Sequence, residues 1–517
     1  MKRSKLSVLA AAALTAAALL APSALAAQTS IRVLANVHAW TKDLNDIPYL
    51  QRAAQTAGVK IDWEQVRAGW DEKKSVVLAS GDLPDAFLSG LTDQDIILNA
   101  DNFVDLAPLV EKYAPNIKKM FKEMPDTKRI SVFPDGKLYS LPAVRPFRPD
   151  SYNVMLINQK WLKKLGLKAP TTLDELYNVL VAFKTKDPNG NGKADEIPMD
   201  WWAGAGGASG SRGLFSVLSL LGAWGVVDDF SGDLVTVKDG KAVFLFGQNE
   251  YKELVKFLSK CWAAGLINQE VFTQDYSSMM AKAQKPDAPT VGVTFGWTAT
   301  DRMGKWADDY AVLAPMSAKS GVKPLWPTNI ARVKMGTNVF AITKSNKHPI
   351  ETIKWIDQFY SEENSIQGYY GSIPDFVKSI DNGKKYEIVP AADGNQDRQM
   401  WTNALVDNAP LYSSAALEAR TTVPPSVTRR LKEDSVYKKY EPDPKSIYPI
   451  VKFSSTEIDQ MALAKTDIYK YVDQKFAEWI LKGTVEQEWS GYLEQLKIMG
   501  LPTMEKLYQK AYENYYK

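Results

Sequence analysis

Asp187-Pro-Asn189-Gly-Asn191-Gly192-Lys193-Ala-Asp195-Glu196 sets oxygen-bearing side chains at alternate positions, with a glycine directly after the third of them. A hard cation such as Ca²⁺ takes about six to eight oxygens at about 2.3–2.6 Å, and a chain that curls round it turns every second side chain inward. Asp187, Asn189, Asn191 and Asp195 stand at loop positions one, three, five and nine, and Lys193, at seven, offers its backbone carbonyl. Gly192 supplies the sharp turn. The general pattern closes on a glutamate at position twelve, whereas here that position is Pro198 and the nearest acid is Glu196, at ten. The spacing therefore predicts a calcium loop that closes early. A helix from Thr172 to Lys184 precedes it and the apolar Ile197-Pro198-Met199 follows, so the expected role is a permanent staple rather than a paired sensor.

The start of the chain carries Lys2, Arg3 and Lys5, then a Leu/Ala-rich run, Pro22 and the small-residue site Ala24-Leu25-Ala26. This pattern predicts a secretory signal peptide over residues 1–26. Its apolar run falls short of the roughly 20 residues a spanning helix needs, and no later stretch is long and apolar enough, so the mature chain is not expected to be membrane-embedded. Cys261 is the only cysteine and lies far from the cleavage site. The chain thus lacks the cysteine of a lipoprotein signal, and it has no disulfide framework. Cleavage leaves 491 of the 517 residues, enough for two lobes.

The 63 basic residues exceed the 60 acidic ones by the three that the signal peptide removes. A balanced mature chain has no global field to steer a polyanion, which argues against nucleic acid as a partner. The 15 tryptophans and 23 tyrosines suit a broad ligand with apolar faces and a rim of hydroxyls.

A β-α rhythm positions these groups. Ile31–Ala35, the alternating run from Val59 to Glu64, Asn153–Ile157, Val291–Trp297 and Asn338–Ile342 read as strands, with helices over Tyr49–Gly58, Glu72–Ser80, Gln159–Gly166 and Tyr251–Ala264. Thr171 or Thr172 caps the helix before the calcium loop, with Glu175 completing a capping box on Thr172. The glycine-rich run from Gly204 to Gly213 lacks the ending of a phosphate-binding loop and fits a cleft loop beside Trp201 and Trp202. From Ser455 to Lys517 the apolar spacing predicts amphipathic packing helices.

Several stretches together resemble the extracellular solute-binding proteins of family 1: Ala79-Ser-Gly-Asp-Leu-Pro-Asp85, Asp135-Gly-Lys-Leu-Tyr-Ser-Leu-Pro142, Trp161 through Glu196, Ala264-Gly-Leu-Ile267 and the closing Ala511–Lys517. Within that family the chain is most similar to the periplasmic alginate-oligosaccharide-binding proteins. The resemblance implies an α/β protein with two lobes of the type II periplasmic-binding-protein fold and a helical C-terminal segment. It further implies a sugar held in the interlobe cleft, a structural Ca²⁺ on Asp187, Asn189, Asn191, Lys193, Asp195 and Glu196, and delivery to the membrane subunits of an ABC importer by a monomeric periplasmic receptor. The expected lobes are 27–148 with about 299–365, and 149–298 with about 366–517.

Trp297, which ends a predicted strand in Phe-Gly-Trp, resembles a cleft tryptophan of the alginate-binding relatives and is the leading candidate to cover a sugar face. Trp40 follows the first strand, where α/β folds open their ligand crevice, and Trp401 and Trp202 are further candidates. For a uronate ligand, Arg145 and Arg332 would supply bidentate partners to its carboxylates. The alternatives are a receptor for neutral oligosaccharides and a secreted glycoside hydrolase using two carboxylates across the cleft.

Overall fold

The computed structural model describes residues 29–203, 215–228 and 233–517. The expected signal peptide and the run from Gly204 to Gly213 lie outside the described residues.

Two sheets organise the fold. From edge to edge, the first runs Val59–Val66, Thr29–Asn36, Ala86–Leu88, Met335–Ile342 and Leu141–Val144. Its first three strands are parallel, as β-α alternation requires, and Met335–Ile342 inserts antiparallel to both of its neighbours. The second sheet runs Tyr310–Val312, Val154–Asn158, Val291–Gly296 and Ile197–Asp200. Both central strands are buried along their whole length, which is why they read as continuous branched and aromatic runs rather than alternating ones.

Each sheet anchors its own core, and the molecule is two-lobed. The first core gathers residues between Ile31 and Val144 and then between Val339 and Leu417. The second gathers Val154 to Trp326 and Tyr437 to Tyr508. These cores divide the chain differently from the expected boundaries. The segment after residue 299 stays in the second lobe because Tyr310–Val312 pairs antiparallel with Val154–Asn158. Ile366, Tyr369, Leu405 and Leu411 stay in the first because they pack against its sheet.

Most predicted elements form within one or two residues of their expected ends. The run Val217–Trp224 winds as a 3₁₀ helix. The tail forms three helices, Ser455–Lys482, Val485–Ile498 and Leu501–Tyr515, whose Phe476, Trp479 and Tyr508 are buried in the second core. Thr172 caps its helix by accepting the Glu175 N–H at 3.2 Å, but the Glu175 carboxylate reaches back to Thr171, accepting its N–H at 2.7 Å.

One buried charge pair ties the second sheet to the chain that leaves it. Arg302, on the short helix Ala299–Met303, and Asp200, at the end of Ile197–Asp200, both have no exposed surface and meet at 2.9 Å. Arg302 also donates to Thr294 Oγ1 at 3.0 Å and to the Met279 carbonyl at 3.1 Å, while Asp200 accepts from Asn268 and Gln274 at 2.9 Å each. Gly296 admits the Arg302 side chain, since a Cβ there would stand 2.9 Å from the Arg302 Cβ. Breaking one side of such a pair strands a buried charge, so Asp200→Ala should cost about 3–5 kcal/mol in urea unfolding, and adding Arg302→Met should recover part of the loss.

Candidate functional site

A cavity of about 550 Å³ opens between the lobes. The second lobe contributes Trp297, directly after the strand Val291–Gly296, with Asp301 and Arg430. The first lobe contributes Phe147, Arg148, Tyr369, Tyr370 and Asp397. Thr298 caps the helix that carries Asp301, accepting the Asp301 N–H at 2.9 Å, and the Arg302–Asp200 pair fixes that helix to the sheet.

Trp297 is half-buried, with the Arg430 guanidinium 4.4 Å and the Arg148 guanidinium 5.4 Å from its ring centre. Both cations are already compensated by acids. Arg148 pairs with Asp407, and Arg430 donates to Asp434 at 3.5 Å and to the Ser151 carbonyl. Each keeps one buried Nε–H without a protein acceptor. Burial is the largest influence on Arg430 and pulls its pKa down.

Asp301 and Asp397 face the same cavity from opposite lobes. Burial, and then the charge of Asp397, push the Asp301 carboxyl up to about 6. Asp397 is open to solvent along the cleft but walled by protein, and that confinement raises its pKa, with Arg148 drawing it down and Asp407 pushing it up. Asp393 adds a third acid to the wall.

The other candidates fall in different places. Trp40 is 53% exposed and meets His38 edge-on at 5.2 Å, while Trp401 lies over His38 at 4.4 Å. The two tryptophans thus converge through a histidine that the sequence did not single out, and Trp401 directly follows the cavity residue Met400. Trp202 packs edge-on against Tyr276 at 5.7 Å, one helical turn before the cavity residue Met280. Arg145 turns to Asp407 at 3.2 Å and to the Met335 carbonyl at 3.3 Å, and Arg332 donates to the Pro449 carbonyl at 3.4 Å. Neither arginine lines the cavity. Arg148, Tyr369, Asp397 and Arg430 were missed because they lie in four separate stretches without a shared motif. Asp301 carried a local signal, the Thr-x-x-Asp cap right after Trp297.

The loop expected to bind calcium curls through its own side chains. Asp187 accepts the N–H of Gly190 at 2.9 Å and of Gly192 at 3.1 Å, and Asn191 accepts that of Lys193 at 2.8 Å. Asn189 and Asn191 donate to Asp195 at 3.0 and 3.1 Å, and Lys285 stands 3.7 Å from the same carboxylate. Glu196 is buried, and its Oε1 has no partner. Burial raises its pKa first, and the charges of Asp187 and Asp195 add to that. An orphaned, buried carboxylate oxygen close to the charges of two further acids fits a hard cation. Among the described residues no group of three or more His, Cys, Asp or Glu is assembled for a metal, so the fit depends on the asparagine and carbonyl oxygens as well as the acids.

The family model described as bacterial extracellular solute-binding protein matches residues 41–366. The chain belongs to that family. It is 33% identical over 492 residues, 92% of its own length and 88% of the relative's, to the fructooligosaccharide ABC transporter substrate-binding protein FusA of Streptococcus pneumoniae serotype 4. A structure of FusA in complex with kestose superposes with a TM-score of 0.83 at 30% identity, covering 94% of this chain and 99% of that one. Another FusA structure is of an EF-hand mutant in complex with fructo-nystose. An HMO-binding, ABC-transporter-associated solute-binding protein from Bifidobacterium longum infantis superposes with a TM-score of 0.88 at 28% identity, covering 95% of this chain and all of that one. The alginate-binding protein AlgQ2, at 23% identity and a TM-score of 0.69, shares the fold. Among the described residues no helix is long and apolar enough to cross a membrane.

Asp407 is the shared counter-ion of Arg145 and Arg148, so Asp407→Asn should lower the melting temperature. The expected cost is about 1–2 kcal/mol, discounted because 37% of its side chain meets solvent. Burial opposes its charge, but Arg148 and then Arg145 hold its pKa below the ordinary value. The stability it contributes is therefore complete above about pH 4 and is lost as pH falls through the depressed folded value, and Asp407→Asn should flatten that acid limb.

Proposed function

We propose that this chain is the exported receptor of an ABC importer and that it holds a neutral oligosaccharide in the interlobe cavity. The lining of that cavity carries the reading: the half-buried ring of Trp297 beside hydroxyl acceptors on Asp301 and Asp397. Sugars present apolar C–H faces and a rim of hydroxyls, and both sets of groups answer them. The fructooligosaccharide-binding FusA supports the same class.

A uronate has less support. Arg145 and Arg332 stand outside the lining, each cavity arginine already meets an acid of the protein, with Arg148 sharing Asp407 with Arg145, and three aspartates would repel a sugar carboxylate. The family's binding function argues against the hydrolase alternative. The basic, apolar start of the chain supports a cleaved leader and a periplasmic receptor.

Calorimetric titration with kestose and with trigalacturonate tests the reading: kestose should bind and trigalacturonate should not. Binding of trigalacturonate alone would overturn the neutral class, and release of monosaccharides from kestose would reopen the hydrolase alternative. Trp297→Ala should weaken kestose binding by about 1–3 kcal/mol, the scale of a buried aromatic contact.

The loop from Asp187 to Glu196 would hold Ca²⁺ through Asp187, Asn189, Asn191, Asp195, Glu196 and the Lys193 carbonyl. When bound, the ion would offset two of the three acidic charges and fasten the helix Leu173–Thr185 to the strand Ile197–Asp200. The EF-hand named for FusA supports this. A chelator should lower the melting temperature of the parent protein and leave that of Asp187→Ala/Glu196→Gln unchanged, with kestose affinity nearly intact in both.

A further inference from the structure

Asp301 and Asp397 are contributed by different lobes. Asp301 belongs to the helix Ala299–Met303, whose Ala299 and Met303 are buried in the second core. Asp397 belongs to the helix Gln396–Asn403, whose Met400 is buried in the first. Both line the same cavity between the lobes, so a motion that narrows it brings these like charges together and strips water from them.

The surrounding charges do not cancel them. Arg302 adjoins Asp301 in sequence but is fully engaged by Asp200, Thr294 and Met279. Gln284, which follows the neighbouring helix Tyr276–Ala283, donates to the backbone carbonyl of Asp301 at 3.0 Å rather than to its carboxylate. Arg148 faces Asp397 but is paired with Asp407, itself an acid, and Arg430 is paired with Asp434. Asp393 adds negative charge. Glu433 accepts the Ala299 N–H at the start of the Asp301 helix and is paired with Arg429, while Tyr276, Tyr369 and Tyr370 have pKa values raised by burial and stay neutral. Among the described residues, no ion pair joins either carboxylate to a cation.

We propose that Asp301 and Asp397 make closure of the lobes conditional on ligand: their like charges hold the cleft apart until hydroxyls of a bound sugar donate to both. A sugar that satisfies only one lobe leaves the other carboxylate dehydrated and unpaired, so the pair also selects ligands that bridge the cleft. The ligand half of this proposal rests on the neutral-oligosaccharide reading, and the charge half does not. Protonation should imitate the ligand. Narrowing the cleft brings the two carboxylates together and removes water from them, which raises their affinity for protons above that in the open cleft, so acidification toward pH 5 favours the closed form.

Spin labels on Val76→Cys in the first lobe and Ile498→Cys in the second can report the interlobe distance by double electron–electron resonance. Both positions are exposed, while the native Cys261 is buried and escapes labelling. Without sugar at pH 7.5, the parent should show mainly the long distance and Asp301→Asn/Asp397→Asn a shift to the short one. At pH 5 the parent should shift the same way and the double variant should not respond. Matching distance distributions for the parent and a folded double variant at pH 7.5 would overturn the proposal. So would a parent whose distances do not move between pH 7.5 and 5, and that second criterion holds even if the variant does not fold. Kestose should close the parent at pH 7.5; its failure to do so would count against the sugar class, while the sugar-free comparison still decides the role of the charges.

Discussion

Removing the Arg302–Asp200 pair from water costs several kcal/mol per ion, and only close geometry with further hydrogen bonds offsets it. The second lobe meets that requirement with Thr294, the Met279 carbonyl, Asn268 and Gln274. The network joins two strands, the helix Tyr276–Ala283 and the helix Ala299–Met303 at one point. Trp297 and Asp301 stand on the chain between those anchors, so their place in the cleft is inherited from a buried charge that never meets a ligand. An apolar pair could fill the same volume, but it would not fix the rotation of that short helix through several directed bonds at once.

The cleft repeats this logic with the opposite outcome. Arg148 and Arg430 look like anion-binding equipment when read singly, yet each already meets an acid of the protein itself. What remains for a ligand is the Trp297 ring and carboxylates without cations. Under the proposed function, such a surface favours neutral sugars by where their hydroxyls fall and repels a carboxylate.

Parts of this were legible in the sequence because their signals are local. The loop from Asp187 to Glu196 is contiguous, and its turns form as the spacing demands. Trp297 could be read from the strand that ends just before it, and the tail helices from their apolar spacing. The lobe boundaries were not legible. Tyr310–Val312 is three residues long, too short for any periodicity to show, yet its pairing assigns the whole segment around it to the second lobe. Arg145 and Arg332 were plausible because they lie near strand ends, but their partners, Asp407 and the Pro449 carbonyl, are more than a hundred residues away. Asp397 and Arg430 enter the site only because the chain passes from one lobe to the other three times, between Val144 and Val154, Trp326 and Val339, and Leu417 and Tyr437.

Those crossings also set the order in which the chain can fold. Met335–Ile342 sits between Ala86–Leu88 and Leu141–Val144, so the first sheet cannot be completed until some 340 residues have emerged from the ribosome. The second core waits longer still, because Trp479 and Tyr508 belong to it. With so many contacts between distant parts of the chain, neither lobe can settle early. For a family described as extracellular, that delay is useful: a polypeptide that stays unstructured until its last helices arrive can be threaded through a narrow export channel and acquire its shape on the far side.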